Sequence, residues 1–288
     1  MAQQKYNNSF ISVLICTFNA EKFIVETIQS VLAQTYQNFE LLILDNNSSD
    51  NTRSLINSFC HPELDSGSES ECKKRSRNKF GMTHSHLIKT FYLENNIGPY
   101  AGLNFLLDKA ESKYIAINDH DDIWYKDKLL KQVEFLEKHT DYVGCGSAMI
   151  NWYEKYNTFF YRLQPEKADV AWHTSLLFRN DGYRYDLTQK VGADFYFIKN
   201  ILSKNRRQIH NFPEPFVLRR IFKDANNLSG KWMKRVSISE ILSLQIGLFD
   251  KLALLNRRIF PQEWVEWVLI QLFGGKIPRE YRGYFADL

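Results

Sequence analysis

The segment Asp119-His120-Asp121-Asp122 holds three carboxylates in four positions and directly follows residues 114–117 (YIAI), an apolar run of the kind that forms a buried strand. Carboxylates crowded at a strand end repel one another unless a cation or a hydrogen-bond donor sits among them. Together with water and phosphate oxygens they make the hard donor set that Mg2+ or Mn2+ prefers. A plain helix N-cap competes with that reading, but a cap needs one Asp and not three. His120 reads better as a solvent-facing spacer than as a ligand. Asp45-Asn46 closes a second apolar run, residues 40–44 (ELLIL). A carboxylate there can accept hydrogen bonds from a ribose or a base edge, and an Asx turn is an equal alternative. Thr17-Phe18-Asn19, after residues 10–16 (FISVLIC), offers a hydroxyl and an aromatic edge to a nucleotide. No Gly-rich phosphate loop follows that run, which argues against a dinucleotide or P-loop site.

Such groups need a scaffold that lines them up. The runs at 10–16, 40–44, 87–93 (LIKTFYL) and 114–117 read as strands buried on both faces. Between them, Phe23, Ile24, Ile28, Val31 and Leu32 recur at helical spacing, so a helix is expected over about 20–34. Leu55, Ile56 and Phe59 predict a short helix, and Ala101, Phe105, Leu106 and Ala110 another. Leu129, Leu130, Val133 and Leu136 predict one more. Strand and helix thus alternate over the first 140 residues or so. That order argues for an α/β fold with a mostly parallel central sheet. Ligands of such sheets bind outside the carboxyl ends of the strands, where the polar clusters fall. Farther on, residues 151–164 are aromatic-rich, residues 194–198 look helical, and Pro213-Glu214-Pro215 precedes a short strand at 216–220.

Composition narrows the class. With 44% hydrophobic and 24% charged residues over 288 positions, the chain is neither disordered, collagen-like nor a disulfide scaffold. Its net charge of +4 is too mild to argue for nucleic acid. The four cysteines form no C-x-x-C pair and fit reduced thiols. The polar start MAQQKYNNSF lacks a signal-peptide core, and no apolar run approaches the ~20 residues that cross a bilayer. A cytoplasmic protein is expected, in solution or peripheral on the inner face of the plasma membrane.

Residues 60–86 lack apolar periodicity and carry Lys73, Lys74, Arg75, Arg77 and Lys79. A solvated, flexible insertion is the expectation, and contact of the basic run with phosphates or lipid headgroups the alternative. From about 236 the pattern is helical, with Lys231, Lys234 and Arg235 before it. A helical lid on the preceding domain is one reading, contact with an anionic membrane the other.

The residues quoted carry a resemblance. Residues 11–19 (ISVLICTFN), 30–36 (SVLAQTY) and 40–52 (ELLILDNNSSDNT) resemble the opening of family 2 glycosyltransferases. Asn96-Ile97-Gly98, Asn104-Phe105 and Asp119-His120-Asp121-Asp122-Ile123-Trp124 extend the match. The last run is similar to the D-x-D-D-I-W form of rhamnosyltransferase-like members. The resemblance implies a GT-A fold over 1–230, with a helical C-terminal extension over 231–288. It further implies inverting transfer from a nucleotide-diphosphate sugar, UDP- or dTDP-linked, to a saccharide or lipid-linked acceptor in bacterial cell-envelope polysaccharide synthesis. By the same resemblance Thr17, Asn19, Asp45 and Asn46 bind the nucleotide-sugar. Asp119 and Asp121 match the D-x-D, where the latter Asp holds Mg2+ or Mn2+ on the diphosphate. Asp194 matches the base that takes the acceptor's proton, with helix capping as its alternative and Asp186 and Asp181 less well placed. Arg219, Arg220, Asn227 and Ser229 loosely resemble a Y-R-x-H-x-x-N-x-S stretch, from which Arg220 carries over as a phosphate contact. Two departures stand out: Asn46 replaces an acid common in the family's D-D-G-S run, and Leu103 stands where many members have Arg. A catalytically inactive scaffold of the same fold is the alternative function, against which the intact acidic cluster speaks.

Overall fold

The structure of the chain, a computed structural model, describes residues 9–59, 69–73, 76–77, 83–84, 87–154, 157–189, 192–204 and 208–221. In chain order its elements are β1 (Ile11–Thr17), α1 (Ile24–Leu32), β2 (Phe39–Asp45), α2 (Thr52–Phe59), β3 (Glu69–Lys73), β4 (Ser76–Arg77), β5 (Thr83–His84), β6 (Leu87–Tyr92), α3 (Pro99–Lys109), β7 (Tyr114–Ile117), β8 (Ile123–Trp124), α4 (Lys128–Lys138), β9 (Tyr142–Tyr153), β10 (Thr158–Arg162), β11 (Lys167–Ala168), β12 (Leu177–Arg179), α5 (Ala193–Tyr196) and β13 (Gln208–Ile221). A 3-10 turn at His173–Ser175 precedes β12, and a π-helical stretch at Phe197–Leu202 continues α5.

The four apolar runs lie side by side in the order β7-β1-β2-β6, all parallel. Side chains alternate across a strand, so each run feeds two cores. Ile11, Val13, Leu41, Ile43, Tyr114 and Ala116 face α1, α2 and α4, where Ile24, Ile28, Val31, Ile56, Leu129 and Val133 complete the layer. Leu14, Leu42, Leu44, Ile115 and Ile117 face α3 and the 193–202 segment through Leu103, Leu106, Phe197 and Leu202. Helices therefore cover both faces, as continuous apolar strands require. Helix α3 comes close to β1 because residue 102 is glycine: a Cβ there would sit 2.5 Å from Cys16 Sγ.

The second half departs from the pattern. Strand β12 runs antiparallel between β7 and β9. Long β9 pairs with β10 as a hairpin and with β13 in parallel. The short strand expected at 216–220 is the end of this fourteen-residue element. Its register shifts at Phe212/Pro215 and Pro215/Val217, because proline lacks the N–H that would continue the ladder. The expected insertion at 60–86 is not wholly loop. Within it β3 pairs antiparallel with β6 at the sheet edge, and β4 pairs with β5. The 231–288 extension and the boundary at 230 lie outside the described residues.

Candidate active site

Three strand ends converge on one edge of the sheet. Past β1 and β2, the Asn46 amide donates to the Thr17 carbonyl at 2.9 Å, and the Leu93 amide donates to the Asp45 carbonyl at 3.1 Å. Thr17 and Asp45 are buried, and the Thr17 hydroxyl meets no partner. Asp45 Oδ1 accepts the amide of Ser48, three residues on, at 3.2 Å, whereas an Asx turn would take the amide two residues on. Asn19 adopts a left-handed conformation (φ 50°), which Asn tolerates better than most residues. Its Oδ1 accepts from the Ser49 amide at 2.8 Å, and its own amide donates to Ser48 Oγ at 2.9 Å. Its side chain ties two loops together at this end. Asn46 is buried, and both its side-chain polar atoms engage the Asn96–Ile97 backbone and side chain.

The acidic cluster follows β7. Its backbone is tied down from several sides. Thr27 Oγ1 donates to the His120 carbonyl at 3.0 Å, Trp124 N to Ser30 Oγ at 3.1 Å, and Trp124 Nε1 to the Thr174 carbonyl at 3.1 Å. Each acid then meets its own environment. Asp122 is buried, and neither oxygen makes a well-formed hydrogen bond. Burial, then the charges of Asp121 and Asp119, push its carboxyl well above the usual range. Asp121 is raised too, by burial and by Asp119, against the pull of His120 and Arg219. Asp119 has a side chain 46% exposed. Burial works against its charge, but His173 outweighs burial and holds the carboxyl below its ordinary value.

His173 is the residue that sequence patterning missed. Strand β12 pairs Leu177 with Ala116 antiparallel to β7. Continued past the strand end, that register brings His173 and Thr174 opposite the acids. His173 Nδ1 lies 3.3 Å from Asp119 Oδ1 and Nε2 lies 2.6 Å from the Tyr185 hydroxyl. The carboxylate can only accept, so Nδ1 carries the proton and donates. Burial lowers the imidazole's affinity for a second proton, yet the Asp119 bond and charge win and raise its pKa. Tyr185 packs 5.5 Å from Tyr100, ring to ring, and burial first, then the charge of Asp194, holds the Tyr100 hydroxyl well above its usual pKa. One run of contacts thus joins Asp119 to Tyr100 through His173 and Tyr185, and Tyr100 feels the charge of Asp194. Their separations, from 12 positions between His173 and Tyr185 to 54 between Asp119 and His173 and more beyond, left no periodic signal. Asp194 sits in the first turn of α5 and makes no capping bond. Asp186 and Asp181 lie on the preceding exposed loop, and Asp186 accepts from Thr188.

Neighbouring arginines on β13 part company. Arg220 is buried against Glu26 of α1 in an ion pair, over the Phe23 ring. Arg219 is exposed, and its positive charge lowers all three acids. Adjacent strand residues point to opposite faces, so only one can serve the cleft. Arg219 stands toward the acids, and Arg220 is engaged elsewhere.

The donor chemistry of the acids fits a hard divalent cation: carboxylate oxygens gathered past the end of β7, two of them, on buried Asp122, without partners. Among the described residues no three His, Cys, Asp or Glu side chains are grouped to hold a metal by themselves. A cation here would complete its shell with phosphate oxygens and water. Among the described residues no helix is long and apolar enough to cross a membrane.

The family model described as "Glycosyl transferase family 2" matches residues 12–220. An uncharacterized glycosyltransferase of Rickettsia conorii is 37% identical over 148 residues, 49% of this chain and 20% of its own length. A putative teichuronic acid biosynthesis glycosyltransferase of Bacillus subtilis is 32% identical over 126 residues, 44% of this chain and 41% of its own. The chain thus spans less than half the length of these two relatives. Among solved structures, S. aureus TarS (residues 1–349, in complex with UDP-GlcNAc) superposes with a TM-score of 0.55 at 18% identity, over 96% of this chain and 78% of that one. A mannosyltransferase of Pyrobaculum calidifontis, in complex with GDP-Man and Mn2+, gives 0.53 at 15% identity, over 88% and 71%. The fold is GT-A-like, with a central, mostly parallel sheet.

Proposed function

The chain belongs to glycosyl transferase family 2, and from that premise we propose that it transfers a sugar from a nucleotide-diphosphate donor to a saccharide or lipid-linked acceptor, with inversion, in the synthesis of a cell-surface polysaccharide. The observation that supports this reading is the run of contacts Asp119–His173–Tyr185–Tyr100, whose last member feels the charge of Asp194, so that the residues proposed for the diphosphate and for the base lie near one another. The relatives support the setting: one is named for teichuronic acid biosynthesis, and the two solved neighbours hold nucleotide sugars.

Residue roles follow from position. Thr17, Asn19, Asp45 and Asn46 make the nucleoside end. Asp121, with Asp119 beside it, would hold Mg2+ or Mn2+ against the donor's diphosphate. When bound, such a cation neutralises charge that builds on the leaving diphosphate. Arg219 adds a second positive charge there and takes the phosphate role in place of Arg220. His173 fixes the Asp119 carboxylate by donating from Nδ1. Asp194 accepts the proton of the acceptor hydroxyl as its oxygen bonds to the anomeric carbon and the bond to the diphosphate breaks. Deoxysugar transfer of the rhamnosyl type is the narrower form of the proposal, resting on the D-x-D-D-I-W run. Peripheral contact with the membrane, in a cytoplasmic enzyme, is the corresponding proposal for location.

A thermal-shift panel of UDP, dTDP, GDP and CDP, each with and without Mn2+, tests the reading on wild type and Asp121→Ala. One nucleotide stabilises the wild type in a metal-dependent way, and the variant loses that shift. If none of the four moves the melting temperature of folded protein, the inactive scaffold becomes the better account.

A further inference from the structure

Building on the donor-binding reading above, we infer that Asn46 is a positioning residue: it locks the 96–98 loop over the nucleoside end of the cleft, and only an amide at this position makes the lock. The Ile97 and Gly98 amides are fixed donors that can accept nothing. Ile97 N donates to Asn46 Oδ1 at 3.0 Å, and Gly98 N donates to Asn96 Oδ1 at 2.9 Å. Those two donors orient both side-chain amides. The remaining group of Asn46, Nδ2, therefore faces Asn96 Oδ1 and donates at 3.1 Å. With its backbone amide on the Thr17 carbonyl at 2.9 Å, Asn46 joins β1 to the loop. Asn46 is buried, which shields its end of these bonds from water, while Asn96 at the other end is exposed.

A carboxylate at this position fails on polarity alone. It keeps the Ile97 bond but sets an anionic oxygen against Asn96 Oδ1, which the Gly98 amide already holds. Turning the Asn96 amide to satisfy the carboxylate would set its NH2 against the Gly98 N–H. No arrangement satisfies all four groups within the protein, and the cost falls on the buried Asn46 end, where water cannot readily replace the lost partner. The loop has a specific shape to lose: Gly98 adopts φ 86° as it enters α3, and Ile97 is 47% exposed at the turn. Asn46 and Asn96 therefore form a matched pair, and Asn46 acts on the donor through the loop it holds.

The test uses the full chain as wild type, Asn46→Asp and Asn46→Leu. Amide exchange of Ile97 and Gly98 and the affinities for UDP, dTDP and GDP with Mn2+ are measured at pH 7.5 and pH 5, each variant against wild type at the same pH, so that titration of Asp45 and other shared groups cancels. At pH 7.5, Asn46→Asp exchanges both amides at least ten-fold faster and binds the nucleotide at least ten-fold more weakly, with the loss in donor affinity exceeding that in turnover. At pH 5 the introduced carboxyl, once protonated, donates its O–H to Asn96 and accepts from Ile97, and both readouts return toward wild type. Asn46→Leu stays impaired at both. Unchanged exchange in Asn46→Asp, or impairment without recovery at a pH low enough that titration of the introduced carboxyl shows it protonated, overturns the lock. Nucleotide binding absent from the wild type would count against the donor reading alone, because exchange still decides the lock.

Discussion

At the nucleoside end, Asn19, Asp45, Asn46 and Asn96 all bond to loop backbone, and the Thr17 hydroxyl is left unmatched. At the acid end the balance reverses. Both Asp122 oxygens and Asn118 Nδ2 are buried without well-formed bonds, and burial, then the neighbouring carboxylates, raise the proton affinity of Asp121 and Asp122. The first region is rigid by satisfied hydrogen bonds and presents a shape. The second holds surplus negative charge, opposed by His173, Arg219 and His120. Unpaired buried polar groups are costly, so their concentration in one place marks where a ligand would supply the missing partners. A third arrangement, under α4, shows the contrast from the other side. Lys128 is fully buried, donates to Gln132 Oε1 at 2.8 Å and lies 3.8 Å from the Trp124 ring centre, away from solvent. That charge belongs to the core.

The comparison breaks first at the base. Asp194→Asn should lower transfer by about 10²–10⁴-fold while leaving nucleotide affinity within about three-fold, read from product formation and from titration of the nucleotide. Near-normal turnover would remove Asp194 from the mechanism. A smaller effect is expected at His173. His173→Phe leaves Asp119 and the Tyr185 hydroxyl without their shared partner, so unfolding free energy should fall by about 2 kcal/mol in urea titration, with slower turnover. Equal stability would mean the bridge is slack.

Lys128 sharpens the contrast through pH. Burial pushes its ammonium down to about 7, against a weak opposing pull from Cys145. Between that value and the ordinary lysine value, the unfolded chain binds a proton that the folded chain does not. Folding stability therefore rises with pH across that interval. Wild type should gain on the order of 1 kcal/mol per pH unit between pH 7 and 9 relative to Lys128→Met. Parallel curves for the two proteins would show the lysine is solvated. The smallest effect belongs to the nucleoside end. Asn19→Ala loses one loop tie and strains a left-handed residue, for about 1 kcal/mol and a few degrees of melting temperature.

Much of this architecture is legible in local pattern. The runs at 10–16, 40–44, 87–93 and 114–117 became β1, β2, β6 and β7, because a strand buried on both faces has to be apolar throughout. Helices α1, α3 and α4 appeared where residues three and four apart are apolar. The second half was less legible. β9 and β13 are long, β13 is interrupted by two prolines, and the two pair across more than sixty positions of sequence. Half of the 60–86 surprise has the same cause: β3 pairs with a strand that it precedes, and its pattern is not apolar.

The sequence by itself determined which residues could do the chemistry and that they cluster at strand ends. Asp45, Asp119 and Asp121 follow buried runs, and a strand's end is a local property. Only the tertiary structure decided which of these groups meet. His173 reaches Asp119 through the antiparallel register of β12 on β7, and Tyr100 comes near Asp194 from another helix. Arg219, and not Arg220, stands toward the acids because shifts in β13 set which face each residue takes. Asn46 found in Asn96 a partner fifty positions away, whose orientation two backbone amides dictate. Composition and periodicity act over a few residues, whereas hydrogen-bond polarity between loops exists only once the chain has folded.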